Sequence, residues 1–159
     1  MTINFDKYLE FVQDKFDPVD QTRSKLTTAA CILAQQVDEI DLALQGVLGY
    51  DILDDAGDAL FAAAYIASVE NLDFEKMVTE AEKKHIAADL DLLKAAAIGV
   101  VSACAQYANY TLRKGVPPNK LFRRHEHTLL IFLIQLAPFL KQEGKGLKEA
   151  IERNMEKLS

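Results

Sequence analysis

At 159 residues and a net charge of −6, the chain suits one domain around a single core, and its acidic balance argues against a non-specific nucleic-acid binder, whose affinity rests on neutralising phosphates. Half the residues are apolar, yet there are only four Pro and seven Gly, and long stretches free of both argue against a chain of short strands and for an all-α helical bundle. The charge is lopsided: residues 1–90 hold 18 acids and 7 bases, residues 91–159 hold 6 acids and 11 bases, so the two halves should attract each other.

Residues 4–16 place apolar side chains at 5, 8, 9, 12 and 16, a helical stripe. They are acidic and amphipathic, with neither the apolar run nor the small-residue cleavage site of a signal peptide, so a cytoplasmic location is expected. Asp17-Pro18-Val19-Asp20 reads as a turn, with Thr22 or Ser24 as the next N-cap. A second helix to about Gln45 buries Leu26, Ala29, Ala30, Leu33, Val37, Ile40 and Leu44, and Gly46 and Gly49 end it. Asp51 caps a third helix to about Glu70, with Leu53, Ala56, Leu60, Ala63, Ala64 and Ala67 inward. Asp73 caps a fourth through Met77, Val78, Ala81 and Lys84.

The fifth helix, about Asp89 to Lys114, has an apolar middle from Ala95 to Ala105 and should be buried on most sides. Gly115-Val116-Pro117-Pro118 stops it. A sixth helix, about Asn119 to Gln142, should kink near Ile134 because Pro138 removes a backbone donor. Gly144 and Gly146 precede a last amphipathic helix, Leu147 to Leu158. The longest apolar run, Thr128 to Leu140, is 13 residues, short of the ~20 needed to cross a bilayer, so no membrane association is expected. Cys31 and Cys104 lie in apolar runs without metal-ligand spacing and read as buried thiols.

Two acidic clusters stand on the second and third helices: Gln35-Gln36-Val37-Asp38-Glu39 and Asp54-Asp55-Ala56-Gly57-Asp58. Residues three apart on a helix share a face about 5–6 Å apart, so Gln36 with Glu39, and Asp55 with Asp58, each present two oxygen ligands. Opposed by antiparallel packing, they suit a hard cation such as Mg²⁺; the plainer reading is two solvated faces. Gly57, which costs ~1 kcal/mol against Ala inside a helix, makes room for a metal, for a neighbouring backbone or for a helix crossing. Glu82-Lys83-Lys84-His85 lacks the second copy and further glutamates of a di-iron bundle. His125 and His127 are two apart and point away from each other.

The order helix, Gly turn, helix, break, amphipathic helix occurs twice, in repeats spanning about 22–88 and 90–158. Aligned on Leu44-Gln45-Gly46 and Leu112-Arg113-Lys114-Gly115, the copies keep the apolar pattern and lose the acidic one. Gln36 and Glu39 fall opposite Cys104 and Tyr107, and Asp55 and Asp58 opposite Arg124 and His127.

With these motifs the chain resembles the MazG-like, all-α nucleoside triphosphate pyrophosphohydrolases. That family's pattern is Glu-Glu-x-x-Glu, a short loop, then Glu-x-x-Asp; here it reads Gln35-Gln36-Val37-Asp38-Glu39 and Asp55-Ala56-Gly57-Asp58, followed by Leu60-Phe61. Phe5-Asp6-Lys7-Tyr8 looks like the lead-in helix. The closing Asn-x-x-Lys-Leu is intact as Asn154-Met155-Glu156-Lys157-Leu158 and partial around Ala81-Glu82-Lys83-Lys84.

The resemblance implies cleavage of a nucleoside triphosphate to monophosphate and pyrophosphate, with Mg²⁺, or Mn²⁺ in its place, held by Gln36, Glu39, Asp55 and Asp58. Glu39 and Asp58 are the implied catalytic residues, with Glu39 or Asp38 orienting the water. Lys84, Arg124, Asn154 and Lys157 are candidates to hold phosphate; for each, surface solubility is the plainer role. A homodimer through apolar helices is expected. Gln36 supplies an amide where the family has a carboxylate, and Asp55 is one methylene shorter than the family's Glu. Those departures open an alternative, a catalytically inactive nucleotide-binding or structural homologue.

Overall fold

The apolar stripes fold into α1 (Phe5–Lys15), α2 (Thr22–Leu44), α3 (Ile52–Val69), α4 (Phe74–Glu82), α5 (Leu90–Gln106), α6 (Arg124–Lys141) and α7 (Leu147–Leu158), with a π-helical segment, Tyr107–Arg113, continuing α5. The computed structural model describes residues 2–15, 22–117 and 124–159, and among them there is no strand. The Asp17–Asp20 turn, the side chains of Thr22 and Ser24, the first residues expected of the sixth helix and the side chain of Arg124 lie outside what is described.

The predicted caps form: Asp51 and Asp73 side chains accept from the backbone N–H of Asp54 and Lys76, and Asp89 does the same for Leu92 at the start of α5, satisfying donors that the first helical turn leaves unpaired. Gly46 and Gly49, at φ +78° and +91°, turn the chain from α2 to α3 through backbone conformations that a Cβ would strain.

The core is built by α2 against α3, α5 against α6, and α2 against α5. Helix α7 packs chiefly on α3, and α4 chiefly on α6. Helix α1 crosses α3, and its Phe5 and Tyr8 rings each lie 6.2 Å from Phe74. Polar contacts join the acidic half to the basic half. Lys94 Nζ meets Asp41 at 2.8 Å, Lys157 meets Asp54 and Asp58, and Lys141 Nζ donates to the Glu82 and Lys84 carbonyls at the end of α4.

Several expectations are corrected. Helix α5 is not buried on most sides: Leu92 is 50% and Ile98 69% exposed, and Ala95, Ser102 and Ala105 share that exposure. Contacts from α2 and α6 cover only part of its surface. The stretch long and apolar enough to cross a membrane is Leu90–Arg113, not the run within α6, although one third of it is buried in the bundle and it carries the paired Lys94. Leu44 is exposed, because it falls where α2 gives way to the turn. Cys31 is exposed and Cys104 buried. Pro138 falls inside α6 as expected, and the helix continues past it to Lys141.

Candidate functional site

The acidic cluster forms where α2, α3 and α7 meet. Gln36 and Asp55, only 8% and 5% exposed, come from the two helices that pack most extensively on each other. Gln36 Oε1 and Asp55 Oδ2 are fully enclosed and accept no hydrogen bond. Burial, reinforced by the charges of Glu39, Asp54, Asp58 and Asp51, pushes the Asp55 carboxyl up to about 7, because both a low dielectric and like charges disfavour the ionised form. Among those charges that of Glu39, carried by α2, weighs most on this carboxyl.

Asp58 lies one turn further along α3 and is held from α7. Its Oδ1 accepts from Asn154 Nδ2 at 2.9 Å and from Lys157 Nζ at 2.6 Å, and the same ammonium lies 3.1 Å from Asp54 Oδ1. Burial works against the Lys157 charge, but hydrogen bonds to Asp58 and Asp54 outweigh it and raise its affinity for the proton. The Asn154 Oδ1 is enclosed and unpartnered.

Gly57 makes this possible. A Cβ there would lie 2.8 Å from the Ala150 carbonyl oxygen and 3.2 Å from Asn154 Cβ. Of the reasons open for this glycine, the structure supplies close approach of the α7 backbone, which brings Asn154 and Lys157 onto Asp58, the residue that follows Gly57.

Two participants are not among the expected site residues. Tyr8 is fully buried and its hydroxyl has no hydrogen-bond partner; burial first, then the charge of Asp58, hold it well above the usual phenol range. In sequence it reads only as one of the apolar positions of α1. Asp54 pairs with Lys157, and its adjacency to Asp55 was the one available signal.

Asn154 and Lys157 are therefore brought to the cluster, though aimed at a carboxylate. Lys84 is exposed beyond the end of α4, on the helix that packs against α6, and no described hydrogen bond or ion pair joins it to the acids. Among the described residues of α5 and α6 there is no such acidic cluster. Cys104 is buried there, its thiol pushed up to about 12 by burial, and the Tyr107 and His125 rings meet edge to face at 5.1 Å. His125 is buried and His127 exposed, as their spacing predicts. Glu82, for its part, accepts from the Lys148 backbone N–H.

Among the described residues, no three His, Cys, Asp or Glu side chains converge tightly enough to hold a metal ion by themselves. The donor set nonetheless fits a hard cation once the amide is included. An enclosed acceptor left without a donor costs about 1–3 kcal/mol, and a cation or water beside Gln36 Oε1 and Asp55 Oδ2 would relieve it. All the donors are oxygens, as Mg²⁺ requires. Gln36, Glu39 and Asp55 would hold it on one side; Asp58, on the other, is engaged by Lys157.

No protein-family model, curated protein or solved structure matches the chain.

Proposed function

We propose that this chain is a Mg²⁺-dependent nucleoside triphosphate pyrophosphohydrolase, with Mn²⁺ able to replace Mg²⁺, releasing a nucleoside monophosphate and pyrophosphate. The observation that carries this reading is the pair of enclosed, unpartnered oxygens, Gln36 Oε1 and Asp55 Oδ2, on facing helices beside Glu39 and Asp58. Gln36, Glu39, Asp55 and Asp58 are the proposed cation ligands. A bound divalent cation would neutralise phosphate charge and make water a stronger nucleophile. Glu39 orients that water as general base, and Asn154 fixes the Asp58 carboxylate through its side-chain amide. Lys157, about one third exposed and held at the acidic cluster, is the side chain that would meet a phosphate there; Lys84 and Arg124 are weaker candidates for the same task.

The wider reading is of two MazG-like repeats whose second copy has lost its acids. It is supported by the main helix contacts, α2 with α3 and α3 with α7, which correspond to α5 with α6 and α6 with α4 when α2, α3 and α4 are exchanged for α5, α6 and α7. A homodimer would cover the apolar face of α5, where Ile98 and Val101 line a groove of about 370 Å³ against α2. Free Cys31 on the surface suits the reducing cytoplasm.

A second reading has its own observation. Gln36 contributes no charge, and Lys157 already neutralises Asp54 and Asp58, an arrangement suited to a nucleotide-binding or structural homologue without turnover. Pyrophosphate release from a panel of nucleoside and deoxynucleoside triphosphates, with Mg²⁺ or Mn²⁺, separates the two. The hydrolase reading expects turnover that Asp58→Ala lowers by at least about 100-fold. A silent parent that gains activity on Gln36→Glu would instead identify a protein that keeps the site without the reaction.

A further inference from the structure

The acceptors of the acidic cluster are unevenly served. On the Asp54–Asp58 side, one ammonium and one amide donate: Lys157 Nζ reaches Asp58 Oδ1 at 2.6 Å and Asp54 Oδ1 at 3.1 Å, and Asn154 Nδ2 reaches the same Asp58 oxygen at 2.9 Å. On the Gln36–Asp55 side nothing donates, although both residues are more than nine-tenths buried and their enclosed oxygens lack partners. A lysine serving only as a phosphate clamp would leave its N–H groups turned to solvent. Lys157 instead spends at least two of its three donors on carboxylates.

We propose that Lys157 is the resident counter-cation of Asp54 and Asp58, and that a divalent cation recruiting Asp58 must displace the Lys157 ammonium from it. This rests on the reading of the cluster as a divalent-cation site, and goes further by assigning Lys157 control over cation affinity. Asp58 Oδ1 already accepts from both Asn154 and Lys157, so a cation taking that oxygen must take the ammonium's place, and the two positive charges repel each other across the carboxylate. Lys157 is able to yield: its side chain is 34% exposed, and a long flexible stem lets it swing outward. Asn154, 1% exposed, stays and keeps Asp58 oriented. The displaced ammonium remains on α7 at the mouth of the site, where an anion brought by the cation would meet it.

The test is Mn²⁺ binding to the full chain without nucleotide, read from the electron paramagnetic resonance signal of free Mn²⁺. The parent is compared with Lys157→Met, Lys157→Arg and, as a control for loss of a paired surface charge, Lys94→Met. Circular dichroism establishes that each variant is folded; Lys157→Gln replaces Lys157→Met if the latter is not. The expected result is that the uncharged variant binds Mn²⁺ about five- to tenfold more tightly than the parent, while Lys157→Arg stays near the parent and Lys94→Met changes less than about twofold. Equal or weaker binding by the uncharged variant, an equal gain in Lys94→Met, or no Mn²⁺ binding by either chain at millimolar concentration overturns the proposal. Tighter binding without pyrophosphate release would remove the hydrolase reading and leave this one standing. Pyrophosphate release with unchanged Mn²⁺ binding would do the reverse.

Discussion

The α2–α3–α7 corner and the α5–α6 contact are packed with opposite chemistry. In the first, Gln36, Asp55 and Asn154 are buried with oxygens that accept nothing, and a carboxyl is pushed up to about 7. In the second, a buried Cys104 and the Tyr107–His125 ring contact lie between the helices. A helix pair of this kind can thus be packed without enclosed acids, so the acidic cluster is a cost that packing does not require. Such costs gather at sites that bind or react, and this contrast is the physical ground for placing function at the first corner.

The two glycines sharpen that contrast most. Gly57→Ala drives a Cβ to within 2.8 Å of the Ala150 carbonyl, a backbone atom that cannot rotate away. We expect a loss of about 1–3 kcal/mol in urea unfolding, despite the better helix propensity of Ala. Gly99 on α5 faces only Thr128 Cγ2 at 3.7 Å, an ordinary contact, so Gly99→Ala should stabilise by up to about 1 kcal/mol. Loss of stability at both positions would break the comparison.

A smaller effect comes from pH. The Asp55 carboxyl sits at about 7 in the fold against 3.8 in its absence, so between these values the folded chain holds the extra proton. Stability contributed by that proton is complete below about pH 4 and is lost as pH rises toward and through 7. Allowing for solvent screening, the loss is about 1–2 kcal/mol. In the absence of divalent cations, Tm should fall by a few degrees between pH 5 and pH 8, over and above the change in Asp55→Asn. The same slope in both proteins would show that Asp55 titrates normally. The smallest effect separates the thiols: one per chain, Cys31, should react promptly with an aromatic disulfide, and Cys104 only on unfolding.

Much of the fold was legible because the helices announce themselves by caps and punctuation. Asp51 and Asp73 cap as their positions predict, Gly46 and Gly49 turn the chain, and α7 begins and ends at the predicted residues. The apolar middle of α5 misled because composition reports how greasy a helix is, not how many neighbours it finds; Ile98 stays exposed with nothing packed over it. At the site, spacing alone put Gln36 with Glu39 and Asp55 with Asp58, since a helix fixes which residues share a face. What spacing could not give was partnership across helices. That Lys157 turns inward to Asp58, or that Tyr8 buries its hydroxyl near the same carboxylate, depends on how α7 and α1 cross α3. Those crossings are set by side-chain volume at contacts such as Gly57 with Ala150, far apart in sequence.

The packing of α7 onto α3 and of α4 onto α6 also governs how the molecule comes apart. Neither end of the chain owns a closed core: removing residues 90–158 would take α7 off α3 and leave α4 without its main partner, and removing 22–88 would take α4 off α6 and leave α7 without its main partner. The helices are clasped like interlaced fingers, so the chain should melt as one cooperative unit rather than half by half. A break in the exposed stretch between α4 and α5 would sever the chain without releasing either piece.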